Sequence, residues 1–288
     1  ASLLDAFRGG HASASQTFDV ALMARFLALT DLFGSWHGLN WNNLRFHYNP
    51  ESARLEPVGY DTNAGDDISA VGLAGQGITR FEFDESRQLL ERLFSDDALA
   101  RAYVAELTRL SDPAWLQAFL AAQDADMRRY YELLYPEFPT ADYGVAAFER
   151  NAEYIRKVLQ PDTPGVQAWF RSYQGAGGSE GGGTVTLMLG NLQRLPVEPI
   201  AVTFQGVALK PVPTFAAVLL PARRDAVQFT PYVCYWPQGE PWSADVAEQL
   251  VVTWRLMGAG TGASQAVPVR PWPYAPEEPY QVGALYGL

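Results

Sequence analysis

The sequence predicts an α+β protein in two parts: a helical part over residues 1–160 that carries one β-hairpin, and a β-rich part over residues 166–288. Three observations predict it. From Asp84 to Gln160 apolar residues recur at helical spacing. Beyond Gln160-Pro161-Asp162-Thr163-Pro164-Gly165 that periodicity stops, and prolines and β-branched or aromatic residues rise. Between Leu44 and Tyr60, two short extended runs flank Asn49-Pro50-Glu51-Ser52, which is turn chemistry.

Taken in order, residues 1–15 form a Gly-, Ser- and His-containing lead-in, with His11 assigned no role. Ser15 or Thr17 is expected to cap a helix with Asp19 in its first turn, where a negative charge suits the helix dipole. Phe18, Leu22, Phe26 and Leu29 fall on one predicted face, and Gly34 is the expected stop. Leu44, Phe46 and Tyr48 alternate with Arg45 and His47 in the first hairpin strand, giving His47 a half-buried structural place. Leu55, Val58 and Tyr60 mark the second. Thr62 to Gly77 reads as a loop beside the hairpin end, with Asp66 and Asp67 in it.

Leu89, Leu90, Leu93 and Phe94 form a stripe, and Leu99, Tyr103, Leu107 and Leu110 continue it after a cap at Ser95 and two acidic residues. Asp112-Pro113 is a cap with proline in the first helical position. Trp115, Leu116, Phe119 and Leu120 are expected to face inward on a helix running towards Tyr135, until Pro136 and Pro139 break it. A last helix uses Tyr143, Ala147, Tyr154, Ile155 and Val158. The strands predicted beyond are Val166–Tyr173, Thr184–Leu189, Val197–Phe204, Phe215–Leu219, Phe229–Tyr235 and Leu250–Met257, suited to a small sandwich or barrel.

Composition narrows the function classes. The net charge of −11 over 288 residues argues against nucleic-acid binding, which calls for a basic face. No apolar run approaches the ~20 residues that span a bilayer. The single Cys234 excludes an internal disulfide and a cysteine-rich zinc site, and its apolar neighbours place it in a buried strand. Gly175 to Gly183 lacks the Lys-Ser/Thr of a phosphate loop and reads as a strand-to-strand connection. No zinc-type histidine spacing and no G-x-S-x-G elbow is present.

The chemistry concentrates at one end of the hairpin. Pairing the two runs brings Asn42 and Asn43, before the first strand, close to Asp61, after the second. An amide oxygen and a carboxylate meeting there make a hard-cation site, suited to Mg²⁺ and a nucleotide phosphate. His37 precedes them, and an imidazole near its reference pKa suits proton abstraction from a hydroxyl or, equally, a structural hydrogen bond.

Gly34-Ser35-Trp36-His37, then Asn43-Leu44-Arg45-Phe46, then Pro57-Val58-Gly59-Tyr60-Asp61 resemble the CotH-type, spore-coat-like atypical protein kinases, over about Phe18 to Gly65 and more loosely to Leu159. Their pattern is G-N-x-D, N-x-x-aromatic and P-W-D, so His37 stands where that family has its base aspartate. The resemblance implies a kinase-like C-terminal lobe with an appended, sandwich-like β domain. It implies ATP and Mg²⁺ as cofactors, Asn43 and Asp61 as metal ligands, and His37 as the base. The spacing from His37 fits Asn42 better, the family pattern Asn43. The Gly-rich cover and phosphate-binding lysine of a kinase are expected before Ala1. Phosphoryl transfer to protein hydroxyls is the first functional expectation, and an inactive kinase-like scaffold with a coat or cell-envelope partner the second. Secretion or an envelope location follows from the resemblance alone.

Overall fold

Asp19, not Ser15 or Thr17, starts the central helix: its side chain accepts from the Leu22 amide, 2.9 Å, at the head of α3 (Val20–Phe33). Thr17 is instead the last residue of a separate turn, α2 (Ala14–Thr17), capped reciprocally by Ser13 and Gln16. Before it runs α1 (Leu3–Arg8). The face of α3 that is buried is Met23, Ala24, Leu27, Ala28 and Asp31, whereas Leu22 is exposed. The predicted face was misplaced because α3 is apolar nearly all round. The small residues Ala24 and Ala28 decide the side by permitting a close neighbour. Gly34 ends the helix in the left-handed conformation, φ 63°, as expected.

The computed structural model describes residues 2–62, 67–72, 84–140, 145–160, 165–175, 182–193, 195–216, 220, 226–260 and 263–272. The chain divides into two units, residues 1–160 and 161–288. In the first, β1 (Arg45–Asn49) and β2 (Arg54–Val58) pair antiparallel with Arg45 opposite Val58. Then come α4 (Asp84–Phe94), α5 (Asp97–Leu110), α6 (Pro113–Leu134) and α7 (Val145–Leu159). Asp96 caps α5 and Asp112 caps α6, with Pro113 in its first turn. α3, α5 and α7 form the core, with Leu99, Tyr103, Leu107, Leu110, Ala147 and Ile155 buried. On α6 the expectation fails in part: only Leu116 is buried, and Trp115, Phe119 and Leu120 are half-buried. Tyr143 lies outside the described residues.

Among the described residues, the second unit forms one seven-stranded sheet in the order β6-β5-β8-β9-β3-β4-β7. Its strands are β3 (Val166–Gly175), β4 (Gly183–Asn191), β5 (Val197–Phe204), β6 (Val207–Leu209), β7 (Phe229–Trp236), β8 (Leu250–Leu256) and β9 (Gln265–Pro271). The two ends meet: Tyr235 N–H donates to the Lys210 carbonyl, 2.8 Å, and Val212 N–H to the Val233 carbonyl, 2.9 Å. Of the two arrangements expected, sandwich or barrel, this curled and nearly closed sheet is the nearer to a barrel. The strand that joins the halves is β9, antiparallel to β8 and parallel to β3. Pro268 and Pro271 mask it in the sequence, since proline is a poor ladder donor.

Alternation along β8 buries Leu250, Val252, Trp254 and Leu256. Trp254 lies so close to Gly165 that a Cβ there would be 2.2 Å from the ring, so the residue before β3 must be glycine. Cys234 is fully buried, and burial pushes its thiol up to about 12. Gly175 and Gly183 face each other at the end of the β3–β4 hairpin, in keeping with a strand connection. In place of the predicted strand Phe215–Leu219, residues Pro213–Phe215 form a 3-10 turn; residues 217–219 lie outside the described residues.

Candidate functional site

The site is built by the chain reversing just after α3. Left-handed Gly34 turns the backbone, the Ser35 amide closes on the Thr30 carbonyl, and Trp36–Leu39 form one 3-10 turn. The Asn40 carbonyl then accepts from both Asn43 N–H, 2.8 Å, and Leu44 N–H, 3.0 Å, which feeds the chain into β1. β2 returns it to Asp61, whose φ of 52° is left-handed. Aspartate is one of the few residue types that adopts that conformation readily. The returning segment lies against Gly38, where a Cβ would come within 2.4 Å of Thr62 Cγ2. Glycine beside His37 is thus what lets the two ends of the hairpin close.

Closure brings three of the four expected residues together. Asn43 Nδ2 donates to Asp61 Oδ2 at 3.1 Å and to the His37 carbonyl at 3.1 Å. His37 Nε2 lies 2.9 Å from the same Asp61 oxygen. Asn43 is buried, while the His37 and Asp61 side chains are 54% and 41% exposed, so the cluster has a fixed floor and an open mouth. The carboxylate favours the imidazole tautomer with its proton on Nε2. Nδ1 is then the acceptor, and it faces Asn40 Nδ2 at 3.4 Å. Asp61 Oδ1 has no hydrogen bond among the described residues.

Asn42 is not drawn in. It is exposed, and its contribution is a backbone carbonyl that accepts from Arg45, 2.7 Å. Of the two asparagines it is Asn43 that reaches Asp61. His47, expected to be half-buried, is exposed on β1 opposite Glu56. The hairpin packs through Phe46 and Leu55, with Phe46 against Phe18 at 5.1 Å between ring centres.

Two features were missed. Asn40 carried a signal, an amide three residues after His37 in a turn. The second is a buried carboxylate behind the site. Asp31, 1% exposed at the end of α3, accepts the Gly72 amide on both oxygens, each 3.1 Å, and the Tyr103 hydroxyl. Burial raises its pKa from 3.8 to about 7, against the lowering by Tyr103 and Gly72. Beside it Asn151 donates to the Leu32 carbonyl, 3.0 Å, and accepts the Ile68 amide, 2.9 Å. Tyr154 donates to the Ser69 carbonyl, 2.6 Å, and Arg150 pairs with Asp67 at 2.8 Å. Residues 67–72, the described part of the expected loop after Asp61, are thereby docked on α3, α5 and α7, with Ile68, Ala70 and Val71 buried. Asp67 is committed to Arg150, and Asp66 lies outside the described residues.

No protein-family model, curated protein or solved structure matches the chain. Among the described residues no helix is long and apolar enough to cross a membrane, and no group of three or more His, Cys, Asp or Glu is placed to hold a metal ion.

Proposed function

We propose that the helical unit carries a phosphoryl-transfer site of the CotH-like kinase type, with Asp61 and Asn43 holding Mg²⁺ of Mg-ATP and His37 taking the proton of a protein hydroxyl. The observation that carries this reading is the meeting of His37, Asn43 and Asp61 at one end of a hairpin, from positions up to 24 residues apart in sequence. The donor set suits a hard cation of small coordination demand. Mg²⁺ keeps several waters and takes one or two carboxylates plus phosphate oxygens. Asp61 Oδ1 accepts no hydrogen bond among the described residues, and Asn43, whose N–H₂ is turned to Asp61 Oδ2 and to the His37 carbonyl, would offer the metal a neutral oxygen on flipping its amide. When bound, the metal would neutralise phosphate charge as the bond to the leaving oxygen breaks.

The residues of the chain do the rest. Asp61, through Oδ2, fixes the imidazole tautomer and orients it. Asn43 ties the backbone of His37 to the carboxylate. His37 Nδ1, on the exposed side, is the atom that would accept the hydroxyl proton, with Asn40 as its resting partner. The exposed mouth suits a macromolecular hydroxyl better than an enclosed small substrate.

A second reading is a kinase-like scaffold without turnover, binding a protein partner in a coat or envelope layer. One observation favours it: the His37 imidazole leans on the carboxylate that would hold the metal, so its Nε2–H competes with a cation for Asp61 Oδ2. The test is calorimetric titration with Mg-ATP and with Mg²⁺ alone, followed by phosphate incorporation into a hydroxyl-bearing peptide mixture. The kinase reading expects Mg-dependent nucleotide binding that Asp61→Asn abolishes and His47→Ala leaves intact, and phosphate transfer lost in His37→Ala. Binding without transfer in wild type and in His37→Asp selects the scaffold. Absence of nucleotide binding at millimolar Mg-ATP refutes the phosphoryl-transfer site.

A further inference from the structure

The C-terminal half of α6 extends the helix's core-facing stripe past the core it packs on. Leu116 is buried and Leu120 half-buried, and the same face continues through Met127, Tyr131, Leu134 and Phe138 at spacings of four, three and four residues. Tyr130 and Tyr135 flank it. From Ala121 onward Met127 alone is half-buried, and every other described residue to Thr140 is exposed. Tyr130 is 58%, Tyr131 37%, Leu134 42%, Tyr135 51% and Phe138 56% exposed. A contiguous aromatic face of this kind, on the end of a helix and the turn that follows it, marks an interaction surface.

We infer that this face is a self-association surface, on which α6 of one chain pairs antiparallel with α6 of a second copy around a two-fold axis near Tyr130. Two observations select a second copy. The first is charge. Arg128 and Glu132 lie one turn apart on the same flank of the face, and an antiparallel partner brings Arg128 against the second copy's Glu132 and Glu132 against the second copy's Arg128. The flank is complementary to itself, as an isologous interface requires. In the single chain Arg128 folds back on Asp124, 3.0 Å, so the guanidinium is within reach of the flank. The second is area. Fully exposed aromatic side chains present about 150–250 Å² each, so four rings about half exposed, with Leu134, offer roughly 500 Å² per chain. Two copies then bury roughly 1,000 Å², the lower edge of a specific interface, and the association is reversible in the micromolar range. The net charge of −11 on each copy opposes pairing at low salt.

The experiment is sedimentation equilibrium of the whole chain from about 1 to 200 µM, a range that brackets micromolar association. The expected result is a mass rising from 31.7 kDa towards twice that, unchanged or tighter as salt is raised. The double variant Tyr131→Glu, Leu134→Glu weakens it at least about 30-fold, because a two-fold axis counts each substitution twice. An oxidised Tyr130→Cys variant cross-links to a dimer, while Arg129→Cys, on the opposite side of the helix, does not. All these positions are exposed, and an unchanged far-UV helical signal confirms the fold. A chain that stays monomeric throughout overturns the inference, as does a dimer indifferent to the double variant or dissolved by salt. A monomer that instead co-sediments with phosphatidylcholine vesicles assigns the face to lipid and equally overturns it.

Discussion

Replacing Asp31 by asparagine should remove a loss of stability that the helical unit suffers as pH rises. A carboxyl whose pKa is raised by folding binds its proton more tightly folded than unfolded, so stability is greatest while it is protonated and falls as pH rises. For Asp31 the fall begins near the unfolded value of 3.8 and ends near the folded value of about 7. At about 1.4 kcal/mol per pH unit, the loss across that window is on the order of 4 kcal/mol. Asparagine carries no such loss. It does turn an N–H₂ towards the Gly72 amide, which now donates to both Asp31 oxygens. A buried unsatisfied donor costs about 1–3 kcal/mol. Wild type should therefore be the more stable protein below about pH 4, and Asp31→Asn should overtake it above about pH 7. Urea titrations at a series of pH values, followed through the far-UV helical signal, measure the difference. The other titrating groups are common to both proteins and cancel. A constant difference across the range would refute the reasoning, since it would mean that Asp31 ionises alike in folded and unfolded chains.

Gly38→Ala should destabilise the helical unit by about 1–3 kcal/mol, because a Cβ 2.4 Å from Thr62 Cγ2 forces the 60–62 segment away. Thermal unfolding reads the loss, and a His37 imidazole resonance that no longer responds to Asp61→Asn reads the displacement. Asn151→Ala removes the bonds to the Leu32 carbonyl and the Ile68 amide, and should cost about 1–3 kcal/mol. Hydrogen exchange at Ile68 and Gly72 should accelerate more than at α6 amides. Gly165→Ala should destabilise the β unit by a similar amount, about 1–3 kcal/mol, through overpacking against Trp254, and raise the exposure of that tryptophan in fluorescence quenching.

Much of this protein was legible in one dimension because the relevant forces are local. Turn chemistry at Asn49 and Pro50 announced the hairpin, Asp112-Pro113 the start of α6, and the proline-rich run at Gln160 the boundary between units. The meeting of Asn43 with Asp61 followed from strand pairing, which is itself short-range. What failed was whatever depends on which neighbour arrives. The buried side of α3 was undecidable from an all-round apolar helix until α5 and α7 packed on it. β9 hid behind its prolines, and one of its two partners, β3, comes from a distant stretch of chain. The choice of Asn43 over Asn42 rests on side-chain geometry at the hairpin's end, and the need for glycine at position 38 and the burial of Asp31 against Gly72 and Tyr103 rest on distances between residues far apart in the chain. Sequence by itself set where elements begin, end and turn, because capping and turn bonds close within a few residues. Tertiary structure alone decided which faces meet and which charges lose their water, because those terms exist only once remote segments exclude solvent between them.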